Sequence, residues 1–255
     1  MRKLIVYDES CPMCRLYTKG MVATGNSANL ARISSAQLTQ DVVNRLDIQR
    51  ARHEIPLVDL DGGETIYGVD TWAYAFGKQN KPLKRLLSYR RFKAILQNLY
   101  AFISYNRRII ITSAPGRWNL LDLQPDFRLS YRLTFILVIF GLIGVLLSAM
   151  HFPIWLPAAL ALLVAQLTIA CLHLLCQYSH SFLQSFLDYT GHLGMSLLLG
   201  GMISGIGIMT DWAALVPVGY ALTISQHFIR TYRLGLNPWL SASFSVLVLL
   251  LISPH

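Results

Sequence analysis

The stretch LIVYDESCPMCRLYTKGM, residues 4–21, decides how the first half of the chain is read. It opens on KLIVYD, a run of β-branched and aromatic residues ending at Asp8, of the kind that forms a buried strand. It continues through Cys11-Pro12-Met13-Cys14 into CRLYTKGMVATG, where Leu16, Met21 and Val22 recur at helical spacing until a glycine stops the pattern. Two cysteines three apart, at a strand-to-helix junction, are a candidate site. What surrounds them decides which kind.

Working outward, NLARIS is a second short strand and SAQLTQDVVNRL a second helix with Ser35 as N-cap. IPLVDLDGGETIYG reads as two strands joined by an Asp-Gly-Gly turn, and VDTWAYAFGK as a helix capped by Asp70. The order β-α-β-α-β-β-α predicts an α/β domain over residues 1–110. Its last part, KPLKRLLSYRRFKAILQNLYAFISYNRR, is amphipathic. Its apolar positions suit the α/β layer and its basic edge suits lipid headgroups.

The second half is a different polymer. The chain of 255 residues is 54% hydrophobic with a mean hydropathy of +0.45, too apolar on average for a water-soluble protein of this length. Twenty of its 22 Lys and Arg lie at or before Arg132, against 11 of its 13 Asp and Glu, which gives that part a net +9. The positive charge thickens toward the apolar half, as attraction to anionic lipid requires, and no nucleic-acid recognition motif accompanies it. After a basic linker, residues 111–132, we read five apolar segments of membrane-crossing length: Leu133–Met150, Trp155–Cys176, His192–Met209, Trp212–Phe228 and Leu236–Ile252. The N-terminus has only four consecutive apolar residues before Asp8, too few for a signal-peptide core, so it is expected in the cytoplasm. The loops HFPIW and TDWA then face outward without Lys or Arg, while RTYRLGLNP faces inward with Arg230 and Arg233, and SPH ends outside. This is the pattern of a multi-pass protein such as those of a bacterial inner membrane. Gly201 and Gly205 have the spacing that lets helices approach closely.

The first domain resembles the thioredoxin and glutaredoxin folds in two places. Cys11-Pro12-Met13-Cys14 stands where glutaredoxins carry Cys-Pro-aromatic-Cys, and IPLVDLDGGETIYGVD follows their Val-Pro, strand, turn and Ile-Gly-Gly-x-Asp pattern. It is most similar to the DCC family of thiol-disulfide oxidoreductases, named for a D-x-x-C-x-x-C motif matched here by Asp8, Cys11 and Cys14. The similarity runs to Tyr105-Asn106-Arg107-Arg108, where members often carry an Asn-Arg pair, and departs at Glu9-Ser10, where they usually carry Gly and a small or acidic residue. The resemblance covers residues 3–110 and implies a thioredoxin-like domain exchanging disulfides with proteins or low-molecular-weight thiols and needing no cofactor; the all-α bundle of about five spans read from the apolar segments lies outside it. It further implies that Pro56 is a cis proline facing the cysteines, leaving backbone near Ile55 free to pair with a substrate strand. Asp70, after Tyr67-Gly68, would hold the terminus of a glutathione.

Chemistry supports that reading. Cys11 at a helix N-terminus has its sulfur near unpaired N–H groups and the positive dipole end, which favour the thiolate nucleophile. Pro12 fits the first helical position, and Cys14, one turn on, is the resolving thiol. Asp8 has two readings, general base for Cys14 or cap of the turn before the helix. Structural zinc lacks ligands near this pair, whereas Cu(I) held by two thiolates and inert cysteines stand as alternatives. Cys171 and Cys176, five apart on a membrane helix, point away from each other and read as packing, as do Met195, Met202 and Met209. His173, His180, His192 and His227 are polar groups at or near membrane depth without ligand spacing.

Overall fold

The computed structural model describes residues 2–24, 30–77, 81–112, 123–150, 156–178 and 180–252. Residues 151–155, expected as an outward loop, residues 113–122 of the linker, Gly25, expected to stop the first helical pattern, and residues 253–255 lie outside the described residues. The chain divides into two compact units, Met1–Arg128 and Leu129–His255. It is mostly helical, with one small mixed sheet in the first unit.

That sheet is built from β1 (Lys3–Tyr7), β2 (Leu30–Ser34), β3 (Pro56–Asp59) and β4 (Ile66–Tyr67), in the order β2-β1-β3-β4. β1 runs parallel to β2 and antiparallel to β3, and β3 runs antiparallel to β4. β1 is apolar on both sides because it is covered on both. Val6 and Val58 pack with Val42, Ala51 and Tyr67 on one side, while Ile5 and Leu57 pack with Met21, Ile55 and Ala75 on the other. Each such side chain taken from water contributes roughly 1.5–3 kcal/mol. Because Ile5 pairs with Leu57, the entry to β3 lies beside the exit of β1. The register therefore brings Ile55-Pro56 and the cysteine loop to one end of the sheet.

The helices of this unit are α1 (Pro12–Thr24), α2 (Gln40–Val43), α3 (Ile48–Ala51), α4 (Val69–Gly77), α5 (Lys81–Ser88) and α6 (Arg90–Ile110). The single helix predicted over 35–46 is instead a 3₁₀ turn, Ser35–Gln37, followed by α2. Leu38 and Thr39 are extended between them, which lets Leu38, Val42, Val43 and Leu46 all reach the sheet. Asp70 is not the cap of α4: the helix begins at Val69 after Gly68, whose φ of +59° makes the turn, and Asp70 bonds elsewhere. The amphipathic stretch is two helices, broken at extended Tyr89.

The second unit contains α7 (Leu129–Ala149), α8 (Leu156–Gln177), α9 (Phe182–Met209), α10 (Leu215–Arg233) and α11 (Trp239–Ile252). Among the described residues, α7, α8 and α9 are long and apolar enough to cross a membrane. α10 carries two arginines in its last turn, and α11 has 14 residues. α9 begins ten residues before the apolar segment predicted from His192, because polar residues just ahead of that segment, Asp188 and the buried Tyr189, are partnered by other helices. Asp188 pairs with Arg132 of α7 at 2.9 Å, and His192 Nδ1 meets Arg230 of α10 at 3.3 Å. One network joins four helices. Gln166 Nε2 of α8 donates to Tyr189 Oη of α9 (2.6 Å) and to the Leu240 carbonyl of α11 (2.9 Å), and Tyr189 Oη meets His227 Nε2 of α10 at 3.0 Å. Such bonds tie helices together where water cannot compete.

A close backbone approach lies one residue away from the predicted glycine pair. Gly201 and Gly205 face the Leu146 side chain, whereas Gly200 and Ser204 of α9 meet Gly219 and Thr223 of α10, also at four-residue spacing. A Cβ on Gly219 would sit 2.5 Å from the Gly200 carbonyl oxygen. Gly219→Ala is therefore expected to destabilise the second unit by about 1–3 kcal/mol, read as a lowered unfolding midpoint in detergent. Gly201→Ala, which presses only on the end of Leu146, is expected to cost less.

Candidate active site

The cysteine loop is a helix cap made with sulfur. Asp8 follows β1 and turns the chain, its Oδ1 accepting from Ser10 N (2.9 Å) and Ser10 Oγ (2.7 Å), while its carbonyl accepts from Cys11 N (3.2 Å). Glu9-Ser10 thus forms a turn held by Asp8. The Cys11 carbonyl accepts from Arg15 N at 3.1 Å, which makes Cys11 the residue before the first helical position, taken by Pro12. Cys14 N, three residues on, donates to Cys11 Sγ at 3.2 Å. That is the bond a capping Ser or Asp oxygen normally accepts, and a negatively charged sulfur accepts it better than a neutral one.

The electrostatics separate the two thiols. Cys11 is brought down to about 7 by the hydrogen bond from the Cys14 thiol, against burial, and further by the Arg107 guanidinium and the Cys14 N–H. Cys14 is pushed well up by donating that bond and by burial, so it holds its proton. Tyr17 Oη lies 3.7 Å from Cys14 Sγ. Both cysteines are free thiols, and both are covered: Cys11 is 3% exposed and Cys14 fully buried.

Arg107 is the residue that sequence reasoning did not assign to the site. It is buried, and its Nη2 donates to Asp8 Oδ2 (3.1 Å) and to the Leu123 carbonyl (2.5 Å), while its Nη1 donates to the Arg52 carbonyl (3.2 Å). Both Asp8 oxygens are thereby engaged, one by the turn and one by Arg107. Of the two readings for Asp8, capping is the one this geometry displays. The signal for Arg107 was its place beside Asn106 in the Tyr105–Arg108 stretch, unreadable as part of a site without the fold.

α6 also occupies the edge assigned to substrate. Tyr100 Oη accepts from Ile55 N (2.9 Å), and the Ile55 carbonyl accepts from Gly68 N and Thr71 Oγ1, so neither backbone group of Ile55 is free for a substrate strand. Ser104 Oγ donates to the His53 carbonyl (2.5 Å), Tyr105 stacks on the His53 ring, and Lys93 Nζ lies 2.7 Å from Asp70 Oδ1. Pro56 is buried at the start of β3 and its peptide bond is trans, a correction to the expected cis form. Pro12, by contrast, stands at the first helical position of α1.

No family model, no curated protein and no solved structure matches the chain. Among the described residues, no three His, Cys, Asp or Glu are grouped to hold a metal ion. On α8, Cys171 is half-buried and Cys176 exposed, both free. His192 and His227 belong to the interhelical contacts described above. Met195 is buried, whereas Met202 and Met209 lie on the surface of α9.

Two measurements check this arrangement. The rate of Cys11 alkylation by iodoacetamide is expected to rise with pH around a midpoint of about 7, since the thiolate is the reactive form. Removing the Arg107 cation in Asp8→Asn/Arg107→Met, which leaves neither member of the pair charged, is expected to raise that midpoint, because the lowering by Arg107 outweighs the smaller, opposite effect of Asp8 that is lost with it. Separately, Tyr100→Phe deprives the Ile55 N–H of its acceptor at a cost of about 1–3 kcal/mol. It is expected to speed alkylation at fixed pH without moving the midpoint.

Proposed function

We propose that the chain is a membrane-anchored thiol-disulfide oxidoreductase of the DCC type, in which a thioredoxin-like domain on the cytoplasmic side uses Cys11 as nucleophile and Cys14 as resolving thiol. The observation that carries it is the Cys11 sulfur at the N-cap of α1, accepting the Cys14 N–H at 3.2 Å with its acidity raised toward neutral pH. The strand order β2-β1-β3-β4, with β1 and β2 parallel and the cysteines after β1, supports the thioredoxin-like assignment. The five helices of the second unit support a five-span anchor, α10 and α11 completing the three that are long and apolar enough alone.

In the proposed cycle, the Cys11 thiolate attacks one sulfur of a protein or low-molecular-weight disulfide. A Cys11–substrate disulfide forms and one substrate thiolate leaves. Cys14 then attacks Cys11 Sγ, closing the Cys11–Cys14 disulfide and releasing the second substrate sulfur. The Cys14 proton ends on one of the two released thiols, and the substrate gains the two electrons that the dithiol loses. Arg107 offsets the negative charge on Cys11 before attack, and Asp8 holds Arg107 in place as a positioning residue. Asp70 and the Ile55-Pro56 segment reach a substrate only when α6 withdraws from them.

The near-complete burial of Cys11 favours a second reading, a redox sensor that reacts without rapid turnover. Trapping separates the two. Cys14→Ser is expected to accumulate mixed disulfides between Cys11 and partner thiols in cells, lost in Cys11→Ser/Cys14→Ser and on reduction. Their absence, with Cys11 still alkylating around neutral pH, would leave the sensor.

A further inference from the structure

One surface of the first unit takes no part in the thiol site. Along α6, Arg91, Ile95, Leu99 and Ile103 follow one another at four-residue spacing and so form one line, and Ile95 and Leu99 are 63% and 50% exposed. Tyr89, just before the helix, is also exposed, as are Arg85 and Arg90. Lys93 is turned to Asp70 instead. From Thr71 to Leu121 the sequence has ten Lys and Arg and no Asp or Glu. An apolar line bordered by arginines, with no acid in the segment, is the make-up of a helix that lies in a membrane interface.

Two observations select the occupant. A second copy of the chain meeting this face about a two-fold axis would set its arginines against the same arginines. The chain also carries three helices long and apolar enough to cross a bilayer, which hold the domain at a lipid surface at high effective concentration. We propose that the exposed face of α6 lies in the headgroup layer of an anionic bilayer, Tyr89, Ile95 and Leu99 entering toward the acyl chains and Arg85, Arg90 and Arg91 on lipid phosphates. This rests on the membrane-anchored part of the proposed function and is independent of its thiol chemistry.

The test uses the full-length protein in nanodiscs, with a fluorescent non-natural amino acid at position 95, at position 99, or at exposed Gln49 as control, and a shallow nitroxide-labelled lipid as quencher. In phosphatidylcholine discs containing phosphatidylglycerol, positions 95 and 99 are expected to be strongly quenched and position 49 not. Arg85→Glu/Arg90→Glu/Arg91→Glu is expected to lose most of that quenching while leaving the Cys11 alkylation midpoint unchanged, which shows that the domain is folded. Quenching at 95 and 99 no greater than at 49 overturns the proposal. So does equal quenching in phosphatidylcholine alone, which removes the anionic lipid, and so does crosslinking between α6 helices of two copies without quenching, which makes the face a protein interface. Each outcome leaves the trapping of Cys11 disulfides to be judged separately.

Discussion

The buried ion pair between Arg107 and Asp8 is the contact on which the first unit turns. Its partners lie 99 residues apart, and the same guanidinium bonds the carbonyls of Arg52 and Leu123. A single side chain thus joins the end of β1, the loop before β3, α6 and the segment that leads into α7. Removing one member of such a pair leaves a bare charge in a dry interior, typically at about 3–5 kcal/mol. The pair is accordingly part of the fold as much as of the chemistry. What sets the field at Cys11 also fixes α6 over it.

This creates an opposition between reactivity and access. The cap bond and the cation favour a thiolate, yet the proposed exchange would need a second sulfur to approach Cys11 in line, and the site is closed. Ahead of Arg107 the closure is polar in kind: Lys93, Tyr100 and Ser104 each bond a group of the opposing edge. Bonds of this type can be exchanged for bonds to water, each worth about 1 kcal/mol net. Opening the part of α6 before Arg107 is therefore cheaper than unpacking an apolar interface of the same length would be, while the Arg107–Asp8 pair stays in place.

What could be read from the sequence was local. KLIVYD, the cysteine helix, and the two strands around Asp-Gly-Gly follow from short-range patterns, and the structure forms each close to where they point. Arg107 was not legible as a site residue because its partner is so far away in the chain. The cover was invisible because Tyr100 and Ser104 act on main-chain atoms, which leave no pattern in the opposing sequence. The helix over 35–46 failed because four apolar residues with helical spacing meet the sheet better when Leu38 and Thr39 extend. In the second unit, hydropathy started α9 late by leaving Asp188 and Tyr189 outside the apolar segment, when their partners are other helices.

The glycine contact between α9 and α10 bears on how the second unit is made. α10 contains His227, Arg230 and Arg233, and partitions poorly into lipid by itself. Only a tight turn around Asp211, at φ +54°, separates it from α9, and Gly200 and Gly219 let the two backbones touch. On the five-span reading, the two helices leave the insertion machinery together as one hairpin, with α9 acting as the solvent for its neighbour. A substitution that widened that contact would then act during biosynthesis, on the fraction of chains that acquire the right topology.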